Sequence, residues 1–197
     1  MIRKRAKRPK GIEELKRFYP MNEKNGRFII EVSVASYSEI FNGWDPSPIK
    51  RRDLDPDLLD FILESSEDIP LKFGVELHFY LPESERDETK EELSILGIQN
   101  NIQFLTMYTR KEFLKNWKDA LRYVVLSVIF LFVAYFFGKF NIDGALFKIL
   151  IEGLFIGGWV FLWEAFSLIF FSDQKLLQHL KHYRRLFEAP ILFHYQP

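Results

Sequence analysis

The chain of 197 residues contains no cysteine, which excludes disulfide bonds, thiolate metal ligands and cysteine nucleophiles. It also has no excess of either charge, since 27 Lys and Arg residues balance 27 Asp and Glu residues. A balanced chain lacks the basic footprint of a nucleic-acid-binding protein, so we expect no nucleic-acid partner. No glycine-rich phosphate loop, nucleophile elbow or paired catalytic histidine is visible. The sequence therefore predicts neither an enzyme nor a cofactor or metal.

The apolar residues, in contrast, are concentrated in two long runs. Residues 123–138 are uncharged, and residues 149–171 are apolar except for Glu152, Glu164 and Ser167. A membrane-spanning helix needs about 20 residues, and the shorter run gains length if flanking bases extend to the headgroups. Both runs are apolar around the whole helix, unlike the amphipathic helices of soluble proteins. We expect transmembrane helices at 120–140 and 149–171, joined by an external loop at 141–148.

Basic residues give this hairpin an orientation. Only Lys139 and Lys148 lie near the loop, whereas nine bases flank the other ends of the two runs. The positive-inside rule then places both termini in the cytoplasm and predicts a multi-pass protein of the bacterial inner membrane. The nine bases are Arg110, Lys111, Lys115, Lys118, Arg122, Lys175, Lys181, Arg184 and Arg185.

Two acids fall within the second apolar run and admit two interpretations. A turn near Asp143 puts Arg122 and Glu164 at equal distances along the two helices, so they can pair near the cytoplasmic boundary. Glu152 follows Lys148 by one turn and can face the outer headgroups with it. Alternatively, Glu152 and Glu164 line an ion or proton pathway, which makes the chain a pore or transporter subunit.

Small residues in the second run predict close helix packing. Gly153, Gly157 and Gly158 form a face that lets another helix backbone approach. The neighbour is either the first helix of the same chain or a second copy, so we expect self-association or a protein partner.

The first 120 residues are polar, and residues 1–20 are predicted to be a basic arm. Six of the first ten residues are Lys or Arg. The apolar run that would follow such a basic stretch in a secretory signal is absent from the sequence after them. Such an arm is either disordered or bound to anionic lipid headgroups beside the lipid bilayer.

Residues 21–119 are predicted to form a cytoplasmic α+β domain. Alternating apolar residues indicate strands at 27–34 and 72–81, and Asp55 with Pro56 marks the start of a helix between them. A third strand is predicted at 190–195, after an amphipathic helix at 172–187. The fold class is thus a membrane α+β protein whose N-terminal and C-terminal segments build one small domain. His78 is expected on an exposed strand face, and His179 and His182 on a solvated basic helix face.

The segment FNGWDPSPIKRRDLDPDLLDFI, residues 41–62, contains the strongest local motif. One interpretation is structural: Asn42 and Asp45 close turns, Asp55 caps the helix, and Arg52 with Asp53 clamps the loop on the sheet. The other is a surface for a partner protein or an anionic ligand, held by Lys50, Arg51 and Arg52 beside Trp44. A calcium loop starting at Asp53 is excluded because Leu58 stands where the sharp turn needs glycine.

This motif resembles the signature of an uncharacterised family of small bacterial inner-membrane proteins. The shared pattern is FN-x-x-DP-x-P, followed by RDLD at residues 52–55 and by Phe61-Ile62. A second block, Glu152-Gly153-Leu154, Ile156, Gly158-Trp159-Val160 and Trp163, is similar to the second membrane helix of that family. The resemblance covers roughly residues 30–197. It implies a membrane hairpin with a cytoplasmic domain and brings no known activity or site residue.

Overall fold

The computed structural model describes residues 11–140 and 144–197 and separates them into two compact units. The first unit contains the residues up to Met107 together with Leu180–Pro197, and the second contains Tyr108–His179. The helices are α1 (Ile12–Lys16), α2 (Pro56–Asp68), α3 (Glu88–Gly138), α4 (Ala145–Ser167) and α5 (Asp173–Phe187). A π-helical turn, Leu168–Ser172, joins α4 to α5, and short 3₁₀ helices lie at Tyr37–Ile40, Ile49–Arg51 and Glu83–Glu85.

The first unit is a small α+β arrangement built on three strands. They are β1 (Phe28–Ser33), β2 (Val75–Pro82) and β3 (Ile191–Gln196), all parallel and in the order β1-β2-β3. The predicted strands, including the third from the end of the chain, are confirmed. Alternate residues point to opposite faces of a strand, and on one face of this sheet the residues of β1 and β2 are all apolar. Its buried residues are Phe28, Ile30, Val32, Val75, Leu77, Phe79 and Leu81.

Helical residues complete this core. Ile62 of α2, Ile98 and Ile102 of α3 and Leu186 of α5 are buried in the same cluster as the strand residues. Ile98 and Ile102 are four residues apart, so they lie on one face of α3. The core therefore uses segments from both ends of the chain, as the sequence predicts.

Both ends of α2 have identifiable caps. The Asp55 carboxylate accepts the backbone N–H groups of Asp57 and Leu58 at 3.0 and 3.2 Å, and Pro56 is the first helical residue, which confirms the predicted start. At the other end, Arg185 of α5 donates to the carbonyls of Ser66, Ile69, Pro70 and Phe73. Burial lowers the pKa of Arg185 to about 10, so the guanidinium is still charged at neutral pH.

His182 packs into the same contact. Its Nδ1 lies 3.1 Å from Arg185 Nη2 and 3.3 Å from Ser66 Oγ. Because a guanidinium only donates, Nδ1 is the acceptor. His182 is buried, so the prediction that it lies on a solvated helix face is wrong.

The predicted basic arm, 1–20, is too long. Residues 1–10 lie outside the described part of the chain. Leu15 and Tyr19 are buried in the core, and the Tyr19 hydroxyl donates to Asp68 at 3.0 Å. Leu15 is the buried residue of α1 and Tyr19 follows that helix, so the folded unit begins earlier than the charge pattern indicates.

The second unit contains a helical hairpin. Two helices in the described part of the chain are long and apolar enough to cross a membrane. The buried residues of α3 in this unit include Ala120, Ser127 and Ala134, which are seven residues apart. On α4, the buried Gly158 and Ala165 repeat the same interval. A seven-residue repeat keeps one narrow stripe in contact along both helices.

The contacts across this stripe fix the register. A Cβ on Gly158 would lie 2.7 Å from Leu131 Cγ, and one on Gly157 would lie 3.2 Å from Phe130 Cδ1. Tyr123 stacks on Phe161 with ring centroids 6.1 Å apart. Gly157 and Gly158 therefore pack against the first helix of the same chain. A Cβ on Gly153 would meet nothing within 4 Å.

This register separates Arg122 from Glu164. Since Leu131 lies opposite Gly158, the residue opposite Arg122 is near Ser167, about one turn beyond Glu164. The ion pair that the structure gives Arg122 is with Asp119 on its own helix, at 3.0 Å. The predicted Arg122–Glu164 pair is replaced by an i, i+3 pair.

Candidate functional site

The segment 41–55 is a loop closed by its own polar groups. The two oxygens of Asp45 accept the backbone N–H groups of Ser47 at 2.9 Å and Asp53 at 2.8 Å. Asn42 accepts from the backbone of Trp44, and Arg52 Nε donates to the carbonyl of Ser47 at 3.0 Å. The two backbone hydrogen bonds lower the pKa of Asp45. Asp45, rather than an Arg52–Asp53 pair, is the residue that closes the loop.

The loop rests on α3, not on the sheet as predicted. The Asn101 amide donates to the carbonyl of Arg52 at 2.7 Å and accepts the backbone N–H of Leu54 at 3.1 Å. Asn100 donates to the carbonyl of Lys50 at 2.7 Å. Gly97 allows this approach, since a Cβ there would lie 2.7 Å from the carbonyl oxygen of Ile49.

The outer side of the loop presents its largest side chain to solvent. Trp44 is 94% exposed, and Lys50, Arg51 and Asp53 are exposed as well. The backbone N–H of Trp44 is hydrogen-bonded to Asn42, whereas its side chain lies in solvent.

The two acids of the second apolar run lie on different sides of α4. Glu152 and Glu164 are both exposed, and 12 residues of helix separate their directions by about 120°. Glu152 lies at a groove of about 410 Å³ with five uncharged neighbours, which are Ala134, Tyr135, Ile151, Phe155 and Ile156. Lys139 Nζ lies 4.6 Å from the ring centre of Tyr135.

A cluster that the sequence did not predict lies on the second face of the sheet. Glu76 is only 2% exposed, and its oxygens accept the Asn22 amide at 3.1 Å and the Asn25 amide at 2.7 Å. His78 Nε2 lies 3.2 Å from Glu76 Oε2, and His78 Nδ1 lies 3.0 Å from His194 Nε2. We call Glu76, His78 and His194 the relay. His78 is 9% exposed, so the prediction of an exposed histidine is wrong.

Two neighbours complete this polar face. Glu31 of β1 pairs with His78 in the strand register and accepts the Tyr80 hydroxyl at 2.9 Å. The His194 ring stacks on Tyr80, with centroids 5.0 Å apart. Burial and the neighbouring His78 lower the pKa of His194, so it is neutral near pH 7.

A hydroxyl network ties the end of β3 to the start of α3. Tyr195 donates to Glu91 at 2.6 Å, and its oxygen lies 2.7 Å from that of Tyr37. Burial and the Glu91 hydrogen bond raise the pKa of Tyr195. These phenols stay protonated under ordinary conditions and act as structural donors.

The sequence contains part of the information needed to predict the relay. Alternation places Glu76, His78 and Tyr80 on one face of β2. Alternation along β2 does not reveal which residue lies beside His78. His194 comes close to it only because β2 and β3 pair in a register that sets Phe79 opposite Phe193. Asn22 and Asn25 lie in a turn and give no sequence signal of their own.

Acid is expected to destabilise the α+β unit through Glu76. Burial raises the pKa of Glu76, but hydrogen bonds from Asn22, Asn25 and His78 outweigh burial and hold it below its ordinary value. A carboxyl with a lowered folded-state pKa stabilises the fold above its unfolded-state pKa, and that stabilisation is lost as the pH falls through the folded-state pKa. Urea unfolding from pH 7 to pH 3 should therefore show a shallower acid limb for Glu76→Gln than for the wild type. Parallel curves would contradict this assignment.

Comparison with protein-family models, with curated proteins and with solved structures found no match to this chain. The family resemblance of the 41–62 motif thus stays a prediction.

Proposed function

We propose that the chain is a non-enzymatic protein of the bacterial inner membrane. In this proposal the α3–α4 hairpin anchors it in the bilayer, and the α+β unit lies in the cytoplasm as an interaction domain. The chain would be a subunit of a homo-oligomer or hetero-oligomer. The resemblance to small inner-membrane proteins with a two-helix hairpin is part of the same proposal.

The outward position of the apolar side chains is the observation that carries this proposal. Leu146 is 79% exposed and Trp163 is 71% exposed. Such residues surround α4 on every side except the stripe of Gly158 and Ala165. A soluble monomer seldom exposes a continuous apolar patch larger than a few hundred Å². Lipid covers such a surface without requiring a polar face, and all backbone groups are satisfied within the helices.

The packing of the hairpin supports the same environment. Helices in lipid gain no hydrophobic free energy from association, so small residues that permit close contact are favoured at their interface. Ala120, Ser127, Ala134, Gly158 and Ala165 meet this requirement. The nine bases that flank the two apolar runs, within α3 and α5, support a cytoplasmic location for both termini.

The interaction role is supported by the loop of Trp44. Tryptophan and arginine are enriched among residues that dominate binding energy, and Trp44 and Arg51 both face solvent. A loop already fixed by Asp45 and Asn101 loses little conformational entropy when a partner binds. Gly153, open on the outer side of α4, offers a second contact within the membrane.

Single-cysteine labelling tests the membrane placement. The chain has no cysteine, so each introduced cysteine is the only thiol. A membrane-impermeant maleimide added to intact spheroplasts should label Gly144→Cys in the loop. It should label Ser38→Cys in the α+β unit only after the membrane is opened, and Val160→Cys should stay protected.

Control variants and fractionation sharpen this test. Lys175→Cys, beyond the second helix, should follow Ser38→Cys if both termini share one side. Labelling of Ser38→Cys from outside would overturn the orientation. Recovery of the chain in the soluble fraction, with Val160→Cys as reactive as Ser38→Cys, would overturn the membrane anchor itself.

The alternative is a pore or transporter subunit. The groove beside Glu152 favours it, since a carboxylate within an apolar segment is costly without a function or a partner. Glu152 and Glu164 diverge on α4, so a passage using both would be formed between copies. Absence of ion flux in vesicles reconstituted with the wild-type chain would remove this alternative.

A further inference from the structure

We propose that His78 and His194 bind a divalent transition-metal ion, with Zn²⁺ the best match, on the polar face of the sheet. Glu76 would orient His78 from behind. This site is independent of the membrane placement, since the relay lies wholly within the α+β unit.

The first step is the fixed tautomer of His78. Both oxygens of Glu76 already accept hydrogen bonds from Asn amides, so Glu76 meets His78 as an acceptor too. His78 Nε2 then carries the hydrogen of the 3.2 Å contact with Glu76. In that tautomer the lone pair of His78 is on Nδ1, which lies 3.0 Å from His194 Nε2.

The second step is the separation of the two ring nitrogens. His78 Nδ1 and His194 Nε2 lie 3.0 Å apart. Zn–N bonds of about 2.0–2.1 Å at a tetrahedral angle separate two nitrogens by about 3.3 Å. His194 Nε2 donates the hydrogen of this contact, so metal binding requires His194 to adopt its other neutral tautomer, with the hydrogen on Nδ1. A widening of a few tenths of an ångström, within the rotation of the His194 side chain, then admits the ion between the two nitrogens.

The third step is the carboxylate behind His78. A metal-ligating histidine almost always donates its other ring N–H to a carboxylate, a carbonyl or a water, which sets its tautomer and raises its basicity. Glu76 does this from a buried position fixed by Asn22 and Asn25.

The coordination would be incomplete within one chain. Among the residues that the structure describes, no group of three His, Asp or Glu side chains could hold a metal ion. The positions not filled by His78 and His194 are open to water or to a donor from outside the chain. Imidazole nitrogens without thiolates suit Zn²⁺, Cu²⁺ or Ni²⁺ and disfavour Ca²⁺ and Mg²⁺, which prefer oxygen.

Zn²⁺ titration of the full chain in detergent, without a histidine tag, tests the site. We expect one saturable Zn²⁺ per chain by competition with a chromophoric chelator. His78→Ala and His194→Ala should each weaken binding at least about 10-fold, and Glu76→Gln about 10-fold to 100-fold, as removal of an outer-shell partner does. His179→Ala is the matched control and should leave binding unchanged, because His179 lies on α5 and has no contact with the relay among the hydrogen bonds of Glu76, His78 and His194.

A measurement on the wild type keeps the test valid if a variant fails to fold. The electron paramagnetic resonance spectrum of one bound Cu²⁺ should show splitting from two imidazole nitrogens. Absence of saturable Zn²⁺ binding near pH 7.5 would overturn the proposal and leave the two rings sharing a proton. Equal binding by the wild type and the His78→Ala, His194→Ala double variant, or a spectrum without two nitrogens, would overturn it as well.

Discussion

Replacing Arg185 with Met is expected to lower the free energy of unfolding of the α+β unit by about 3 kcal/mol. The side chain keeps its apolar length but loses the donors for four backbone carbonyls around the end of α2. Each buried acceptor left without a partner costs about 1–3 kcal/mol. The total is smaller than the sum because some carbonyls gain water and because burial of a charge is itself unfavourable.

The neighbouring Arg184 provides the control. Its side chain is 80% exposed and pairs with Glu188 at 2.9 Å on the same helix. Solvent screens an exposed pair of this kind and leaves it little net effect on stability, so Arg184→Met should leave the unfolding curve almost unchanged. Urea unfolding of the full chain in detergent gives the free energies. Hydrogen exchange should show the loss of protection concentrated in residues 66–75, and equal effects of the two substitutions would contradict the role of Arg185.

Replacing Gly97 with Ala is expected to destabilise the contact between α3 and the 41–55 loop by about 1–3 kcal/mol, the usual cost of overpacking. The new Cβ would lie 2.7 Å from the carbonyl oxygen of Ile49 and 2.8 Å from Phe41 Cε1. In an open helix position the same substitution stabilises by about 1 kcal/mol. The sign of the change is therefore diagnostic.

Gly43→Ala in the same loop is the matched control. A Cβ there meets nothing within 4 Å, and Gly43 does not have a positive φ. Its stability should stay within about 0.5 kcal/mol of the wild type. Hydrogen exchange of peptides covering 41–55 should accelerate in Gly97→Ala and not in Gly43→Ala. A stabilising Gly97→Ala substitution would show that the loop is not seated on α3.

Local signals in the sequence predicted much of the fold. Asp55 and Pro56 define a helix start through neighbouring residues alone, and the alternation around β1 and β2 is also local. The strand Ile191–Gln196 could be predicted because its composition differs from that of the basic helix before it. The long apolar runs predicted two helices. The first run is the end of a continuous helix from Glu88 to Gly138, and composition does not show that the polar and apolar parts belong to one helix.

Several errors share one cause, which is that register between distant segments is not written in either segment. The predicted Arg122–Glu164 pair assumes a turn near Asp143, whereas the observed register moves the residue opposite Arg122 by about one helical turn, to near Ser167. Asn101 gives no sequence signal because an amide on a helix produces the same pattern whether it faces water or a loop. His78 and His194 are 116 residues apart, and only the order of the strands brings them together.

The late position of β3 has a consequence for how the chain is made. A ribosome completes β1 and β2 first, and two strands alone are marginally stable in water. The third strand follows only after both apolar helices have emerged. If the second helix of the proposed hairpin fails to cross the bilayer, β3 stays on the opposite side of the membrane from β1 and β2, and the sheet remains incomplete. Quality-control proteases degrade molecules that remain partly unfolded. Chains with an incomplete sheet would therefore be removed, and correctly inserted chains would persist.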